Sequence, residues 1–217
     1  MSKLTSTKIE RLTKETIQTE FDAMASTYNR KLWVDENVLG IKRLRKQLMP
    51  LAAGDVLDVA CGTGLNFPWF GQIDSLSAVD LSAEILAIAI AAAAEAGIAA
   101  DLQVMDAESL TFADNSFDTV VSSLSTCTIP DPIAALREMS RVCKPTGQIL
   151  LVEHGRSSLR PFAHYQDRHA RAHYEKSAGC RWNQEPDQLV MAAGLRIHKS
   201  RRATFGVFHA IQAVPTK

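Results

Sequence analysis

Seven consecutive residues, Asp58-Val59-Ala60-Cys61-Gly62-Thr63-Gly64, carry the densest chemical signal in this 217-residue chain. They follow the apolar run that starts at Val56 and precede a stretch expected to start a helix, so the two glycines fall at a strand-to-helix junction. Glycines there let the backbone turn sharply and approach a bound molecule closely. A dinucleotide fingerprint asks for another glycine where this chain has Phe67, and the acid here stands four positions ahead of Gly62. That disfavours an NAD-dependent oxidoreductase. The alternative for the motif taken alone is a tight turn that holds no ligand.

Other candidates are less specific one by one. Asp80 closes the run Leu76 to Val79 and is followed by Leu81 and Ser82, while Asp106 and Ala107 follow the run Asp101 to Met105. Singly, each acid also reads as a strand-end turn residue or a helix cap. His154 follows the run Gln148 to Val152, and an imidazole placed there could take up a proton near neutral pH or simply bond to backbone. His169 and His173 are four apart, so a helix would show both on one face, but no further carboxylate or cysteine is at ligand spacing. No metal is expected. Cys61, Cys127, Cys143 and Cys180 are far apart without a C-x-x-C pair, which fits reduced thiols in a cytoplasmic protein.

The elements that must position these groups follow from periodicity. Short β-type runs at Val56 to Ala60, Leu76 to Asp80, Asp101 to Met105, Thr119 to Ser123 and Gln148 to Val152 alternate with helical stretches. The helices are expected from Leu65 to Phe70 onward, over Ser82 to Ala96 with Ser82 as N-cap, and over Pro132 to Cys143. Strands alternating with helices predict a doubly wound α/β fold around a mostly parallel sheet. Two helices are expected ahead of it, over Thr7 to Met24 and Asp35 to Met49. Beyond the last parallel run, Arg160 to Lys176 reads as an irregular polar insertion, and Gln188 to Ala193 as a core helix. Leu195 to Arg201 and Val207 to Val214 should form a hairpin that adds an antiparallel strand at the sheet edge.

Composition sets bounds on function. The chain is 46% hydrophobic and 22% charged, which excludes a disordered or collagen-like protein. Its 24 basic and 24 acidic residues are unevenly spread: residues 1–50 carry 10 basic and 6 acidic, 51–140 carry 1 and 13, and 141–217 carry 13 and 5. All six histidines lie in the last stretch. The alanine-rich run from Ile85 to Ala94 is too short to span a bilayer. A single domain is expected, with 1–50 as a helical cap, 51–154 as the binding core and 155–217 as a covering insertion and terminal hairpin.

The pattern acid–three residues–Gly–x–Gly resembles the first motif of class I S-adenosylmethionine-dependent methyltransferases, and the resemblance extends over about residues 21 to 154. It implies a Rossmann-like seven-stranded sheet and S-adenosylmethionine as cofactor, with S-adenosylhomocysteine as product. It assigns Asp58, Ala60, Gly62, Thr63 and Gly64 to the cofactor turn, and Asp80 with Leu81 to the ribose hydroxyls. Asp106 and Ala107 take the adenine, and Ser123 lies in the segment lining the methionine end. Phe21 to Tyr28 is similar to the N-terminal segment of the ubiquinone/menaquinone C-methyltransferase-like group, where the aromatic Tyr28 would help to close the site. Glu153 to Ser157 and Gly179 to Asn183 resemble a branch with phospholipid N-methyltransferases and small-thiol S-methyltransferases.

Methyl transfer from a sulfonium releases a neutral thioether, so no acid is required and a base is needed only for a protonated nucleophile. His154 is the expected catalytic base. Tyr165, His169 and His173 are expected to face the substrate, a small or lipid-like acceptor such as a phospholipid amine, a quinone-type ring or a thiol. The basic helix from Lys42 to Lys46 and the basic tail also fit peripheral contact with an anionic membrane surface, although ordinary solvated helix faces explain them too. No nucleic acid is expected, because no RNA-binding module or long basic block is present. The rival from another class is a non-catalytic module that keeps the cofactor and acts through a partner or a membrane surface.

Overall fold

The computed structural model describes residues 12–217. Seven strands form one sheet: β1 (Asp55–Val59), β2 (Ser75–Asp80), β3 (Ala100–Val104), β4 (Phe117–Ser123), β5 (Cys143–His154), β6 (Arg196–Ala203) and β7 (Phe208–Val214). Their order is β3-β2-β1-β4-β5-β7-β6. Neighbours run parallel from β3 to β5, and β7 is antiparallel to both β5 and β6. This is the Rossmann-like sheet of class I methyltransferases, closed at one side by the expected terminal hairpin.

Alternation of side chains divides the core between the two faces. Leu57, Val59, Val120, Ile149 and Leu151 belong to one cluster with Leu136 and Met139 of α6 (Pro132–Val142) and Val190 of α8 (Pro186–Ala192). Val56, Val121, Leu150 and Val152 belong to the other, with Ile41, Leu44 and Leu48 of α4 (Ile41–Leu48) and Leu86, Ala89 and Ala93 of α5 (Ala83–Glu95). Both faces of β1 are thus covered, which explains why Val56, Leu57 and Val59 are all apolar and why even Asp58 is buried. Ser82 caps α5 as expected, its hydroxyl accepting from Ile85 N–H at 3.1 Å.

Three expectations in the first 70 residues change. The first helix, α1, spans Lys14–Met24, and the expected residues 7–11 lie outside the described part. The expected helix Asp35 to Met49 is divided: α3 (Trp33–Asn37), preceded by the short α2 (Tyr28–Lys31), ends at Asn37, and the chain bends at Gly40 before α4. Leu65 to Phe70 holds only a 3-10 turn at Phe67–Trp69, because the backbone becomes extended at Phe70.

Arg160 to Lys176 is not irregular. It is a 17-residue helix, α7. Its buried side is marked by Ala163, Gln166 and Tyr174, only one of them aliphatic. Gln166 does the docking by hydrogen bonds: its amide donates to Gly155 O at 3.1 Å and Trp182 O at 3.0 Å, and its oxygen accepts from Ser157 N at 2.8 Å. A polar anchor of this kind leaves no apolar periodicity to read.

Candidate active site

The strand order reverses between β1 and β4, and a crevice opens there at the carboxyl ends of the strands. A cleft of about 910 Å³, open to solvent, fills this position. Ala60, Gly62 and Thr63 line it from β1, Asp80 and Leu81 from β2, Asp106 and Ala107 from beyond β3, and Ser123 and Leu124 from β4. Lys14, Ile17, Gln18 and Phe21 of α1, with Tyr28, form the opposite wall.

Backbone geometry makes the floor. Gly62 has φ +59° and Gly64 φ +79°, and a Cβ on Gly64 would meet the Phe67 ring at 2.7 Å. Gly64 is therefore required by packing inside the turn, and it does not line the cleft. Ala60 (φ 52°) and Leu124 (φ 55°) hold the left-handed conformation at the ends of β1 and β4 without being glycine. Such residues cost about 1–3 kcal/mol each and persist where the surroundings over-determine them.

Asp80 is arranged as a double acceptor. One carboxylate oxygen accepts from Gly62 N–H at 2.9 Å and the other from Ser82 N–H at 3.0 Å, leaving lone pairs on both. Burial raises its pKa against these backbone bonds. Asp106 accepts from Lys14 Nζ at 2.5 Å and from Glu108 N–H at 2.9 Å, and Lys14 also pairs with Glu108 at 2.7 Å. These contacts tie α1 across the cleft. Thr63 donates to Asn29 at 2.5 Å, binding the segment after Tyr28 to the glycine turn. Burial, then the Asp80 charge, push the Tyr28 phenol upward, so it stays protonated.

Asp58 lies behind the cleft wall and is fully buried. One oxygen accepts from Asn66 Nδ2 at 2.9 Å, and the other has no partner among the described residues. Burial raises its pKa to about 7, against Asn66 and Arg45, which favour the anion. The residue that does face the cleft from this network is Arg45: only 3% exposed, it donates to Glu36 at 3.0 Å and bonds to Asn66. Reading Lys42 to Lys46 as one solvated basic run misses it. The available signal is the spacing Ile41, Leu44, Arg45, Leu48, which puts Arg45 on the apolar face of α4.

A second cavity of about 1360 Å³, also open to solvent, adjoins the first and shares Phe21, Tyr28, Leu32, Leu124 and Thr128 with it. His154 and His173 line this cavity, His173 stacked on Trp182 with centroids 4.3 Å apart. Tyr165 and His169 line neither; Tyr165 is half exposed, and His169 bonds to Tyr165 O at 2.9 Å on the surface of α7. Burial disfavours charge on His154, yet Cys127, Glu153 and Asp35 outweigh it and raise its pKa to about 9. Contact with Cys180 and burial hold the Cys127 thiol well above its ordinary value, so its own charge is absent near neutral pH. The sequence reading expects no metal, but it compares spacings along the chain. In the fold Cys127, His154 and Cys180 converge, their ligand atoms all within 4.8 Å of one another.

The sheet order and the glycine-turn cleft define a class I methyltransferase architecture. A methyltransferase-domain family model matches residues 57–151. The chain is 31% identical over 166 residues to phosphatidylethanolamine N-methyltransferase of Cereibacter sphaeroides, covering 74% of this chain and 81% of that protein. It is 35% identical over 158 residues to the ubiquinone/menaquinone biosynthesis C-methyltransferase UbiE of Bdellovibrio bacteriovorus, covering 68% and 66%. The mitochondrial methyltransferase OMS1 of Saccharomyces cerevisiae is 27% identical over 212 residues, and the chain spans 45% of its length. Among solved structures, the cyclase SpnF superposes with a TM-score of 0.73 at 20% identity, over 96% of this chain and 99% of that one, a likeness of fold. The chain belongs to the class I S-adenosylmethionine-dependent methyltransferase family. S-Adenosylmethionine is the cofactor of that family.

Proposed function

We propose that this methyltransferase binds S-adenosylmethionine in the first cleft and methylates a small or lipid-like acceptor held in the second cavity. The observation that carries this reading is the wall of Tyr28, Phe21, Leu32, Leu124 and Thr128 common to both spaces. A methyl group presented there would meet an acceptor entering from the side of His154.

The residues present fit the cofactor. Asp80 has one free acceptor direction on each oxygen, as a vicinal diol requires. Ala107 and Asp106 face the place expected for the adenine, and Ala60, Gly62, Thr63 and Ser123 border the methionine end. Arg45 lies there as well, as a cation suited to a carboxylate. When bound, the cofactor supplies an electrophilic methyl group. The chain's own task is to exclude water and align the acceptor, which can supply about 7–11 kcal/mol of barrier reduction. α1 and Tyr28 form the cover. His154 borders the acceptor cavity and is the proposed catalytic residue; it takes up the acceptor's proton only in its neutral form, so the raised pKa predicts a rate that climbs toward alkaline pH.

Incubation with methyl-labelled cofactor and three acceptor classes, a phospholipid amine in vesicles, a quinone-type ring and an alkyl thiol, tests this reading. One class should take up label. His154→Ala should slow its formation about 100-fold or more while cofactor affinity stays within about twofold. Equal rates in both proteins would remove His154 from the chemistry, and label in none of the acceptors would sink the reading.

A specific feature favours an acceptor delivered from a lipid surface. Trp33, Val38 and Phe205 are 58%, 64% and 70% exposed, and their segments are joined by the Thr204 hydroxyl donating to Leu39 O at 2.6 Å. Exposed Lys31 at the end of α2 and exposed Lys42 and Arg43 in the first turn of α4 lie on the helices that flank the Trp33 to Val38 segment in sequence. Large exposed apolar side chains beside cations suit an anionic bilayer surface. Co-flotation with anionic but not neutral vesicles is the expected result; no flotation with either would rule it out.

A further inference from the structure

Cys127, His154 and Cys180 come from three separate segments: the loop after β4, the end of β5, and the turn after α7. His154 Nε2 and Cys180 Sγ are 3.4 Å apart, and all three ligand atoms lie within 4.8 Å of one another. Tetrahedral zinc, with Zn–S about 2.3 Å and Zn–N about 2.0–2.1 Å, requires S···N near ~3.6 Å and S···S near ~3.8 Å. The His154–Cys180 pair is already at that spacing, and Cys127 Sγ lies within 4.8 Å of both.

The backbone around all three is held firmly. Glu153, next to His154, accepts at 3.3 Å from the N–H groups of Ser125 and Thr126, fixing the loop that carries Cys127. Arg181, next to Cys180, donates its N–H to Cys127 O at 3.0 Å, and its guanidinium to Thr126 O at 2.9 Å and to Ile129 O. Gln184 joins the same three segments, donating to the Thr126 hydroxyl at 2.9 Å and His154 O at 3.2 Å. All three side chains border the second cavity, so a metal there would have three protein ligands and a fourth position turned toward the acceptor. Two thiolates, one imidazole and one open position is the donor set of a catalytic rather than a structural zinc site.

We infer that Cys127, His154 and Cys180 form a site for a thiophilic divalent cation, zinc by preference, with its open position facing the acceptor cavity. This rests on the acceptor reading for its role but not for its existence. As a Lewis acid the ion would take up the acceptor's heteroatom and release its proton to solvent, so His154 would act as a ligand and not as a free base.

Cobalt(II) titration of the reduced, metal-stripped full chain tests the site without any turnover. The wild type should bind about one cobalt per chain, with thiolate-to-cobalt charge-transfer absorption and the intense visible bands of a tetrahedral centre, which zinc then abolishes. Cys127→Ser and Cys180→Ser should each lose most of the charge-transfer band, and His154→Ala should weaken binding at least tenfold. Unchanged S-adenosylmethionine affinity in the same variants shows that they are folded. A wild type without the charge-transfer band, or a band that survives both cysteine substitutions, would overturn the site.

Discussion

Arg45→Ala should lower unfolding free energy by about 3–5 kcal/mol, the cost of removing one member of a buried ion pair. Arg45 is 3% exposed, and its partner Glu36 has a side chain only 11% exposed. Without the guanidinium, Glu36 keeps its burial and loses its 3.0 Å counter-charge, and Asn66 Oδ1 retains only the Ser123 hydroxyl at 3.0 Å. Asn66 is also the group that donates to Asp58, so the disturbance reaches the base of the glycine turn. Arg45→Met paired with Glu36→Gln removes both charges while keeping much of the volume, and should recover most of the loss. Urea unfolding at fixed pH measures all three proteins. A loss below about 1 kcal/mol in Arg45→Ala would mean that water reaches the pair.

Asp80→Ala should weaken S-adenosylmethionine about 100-fold or more. Two hydrogen bonds from a diol to a carboxylate contribute about 1.5–3 kcal/mol each, and every 1.4 kcal/mol is tenfold in affinity. The same substitution frees the N–H groups of Gly62 and Ser82, loosening the turn that shapes the cleft. Asp80→Asn keeps one acceptor and places an amide N–H against a backbone N–H, so its affinity should fall between the two. Calorimetric titration separates these outcomes, with thermal melts establishing that each variant is folded. An Asp80→Ala protein that binds within threefold of wild type would remove the diol assignment.

Much of the positioning framework was legible because it rests on local rules. The strands at Val56, Leu76, Thr119 and Gln148 are largely buried and read as short runs rich in apolar and β-branched residues, and the glycine turn and Asp80 sit at the carboxyl ends of two of them, where backbone demands are strict. What was not legible depends on contacts between distant segments. Cys127, His154 and Cys180 are each 26 or more residues apart and meet only because β4, β5 and the end of α7 finish at one edge. α7 docks through Gln166, whose polarity hides the buried face, and two of the three expected substrate residues on it, Tyr165 and His169, turn away from the cavity that His173 lines. Asp58, the acid of the motif, supports Asn66 from behind the cleft wall, while Arg45 reaches the cleft from within what reads as a solvated run.

The arrangement of two spaces around a common wall is tested most directly by a crystal structure of the protein with S-adenosylhomocysteine. The predicted complex has the ribose hydroxyls on Asp80, the adenine beside Ala107, and the sulfur at the wall of Tyr28 and Leu124, opening toward His154. A sulfur pointing into bulk solvent, or a nucleoside seated away from Asp80, would contradict the account.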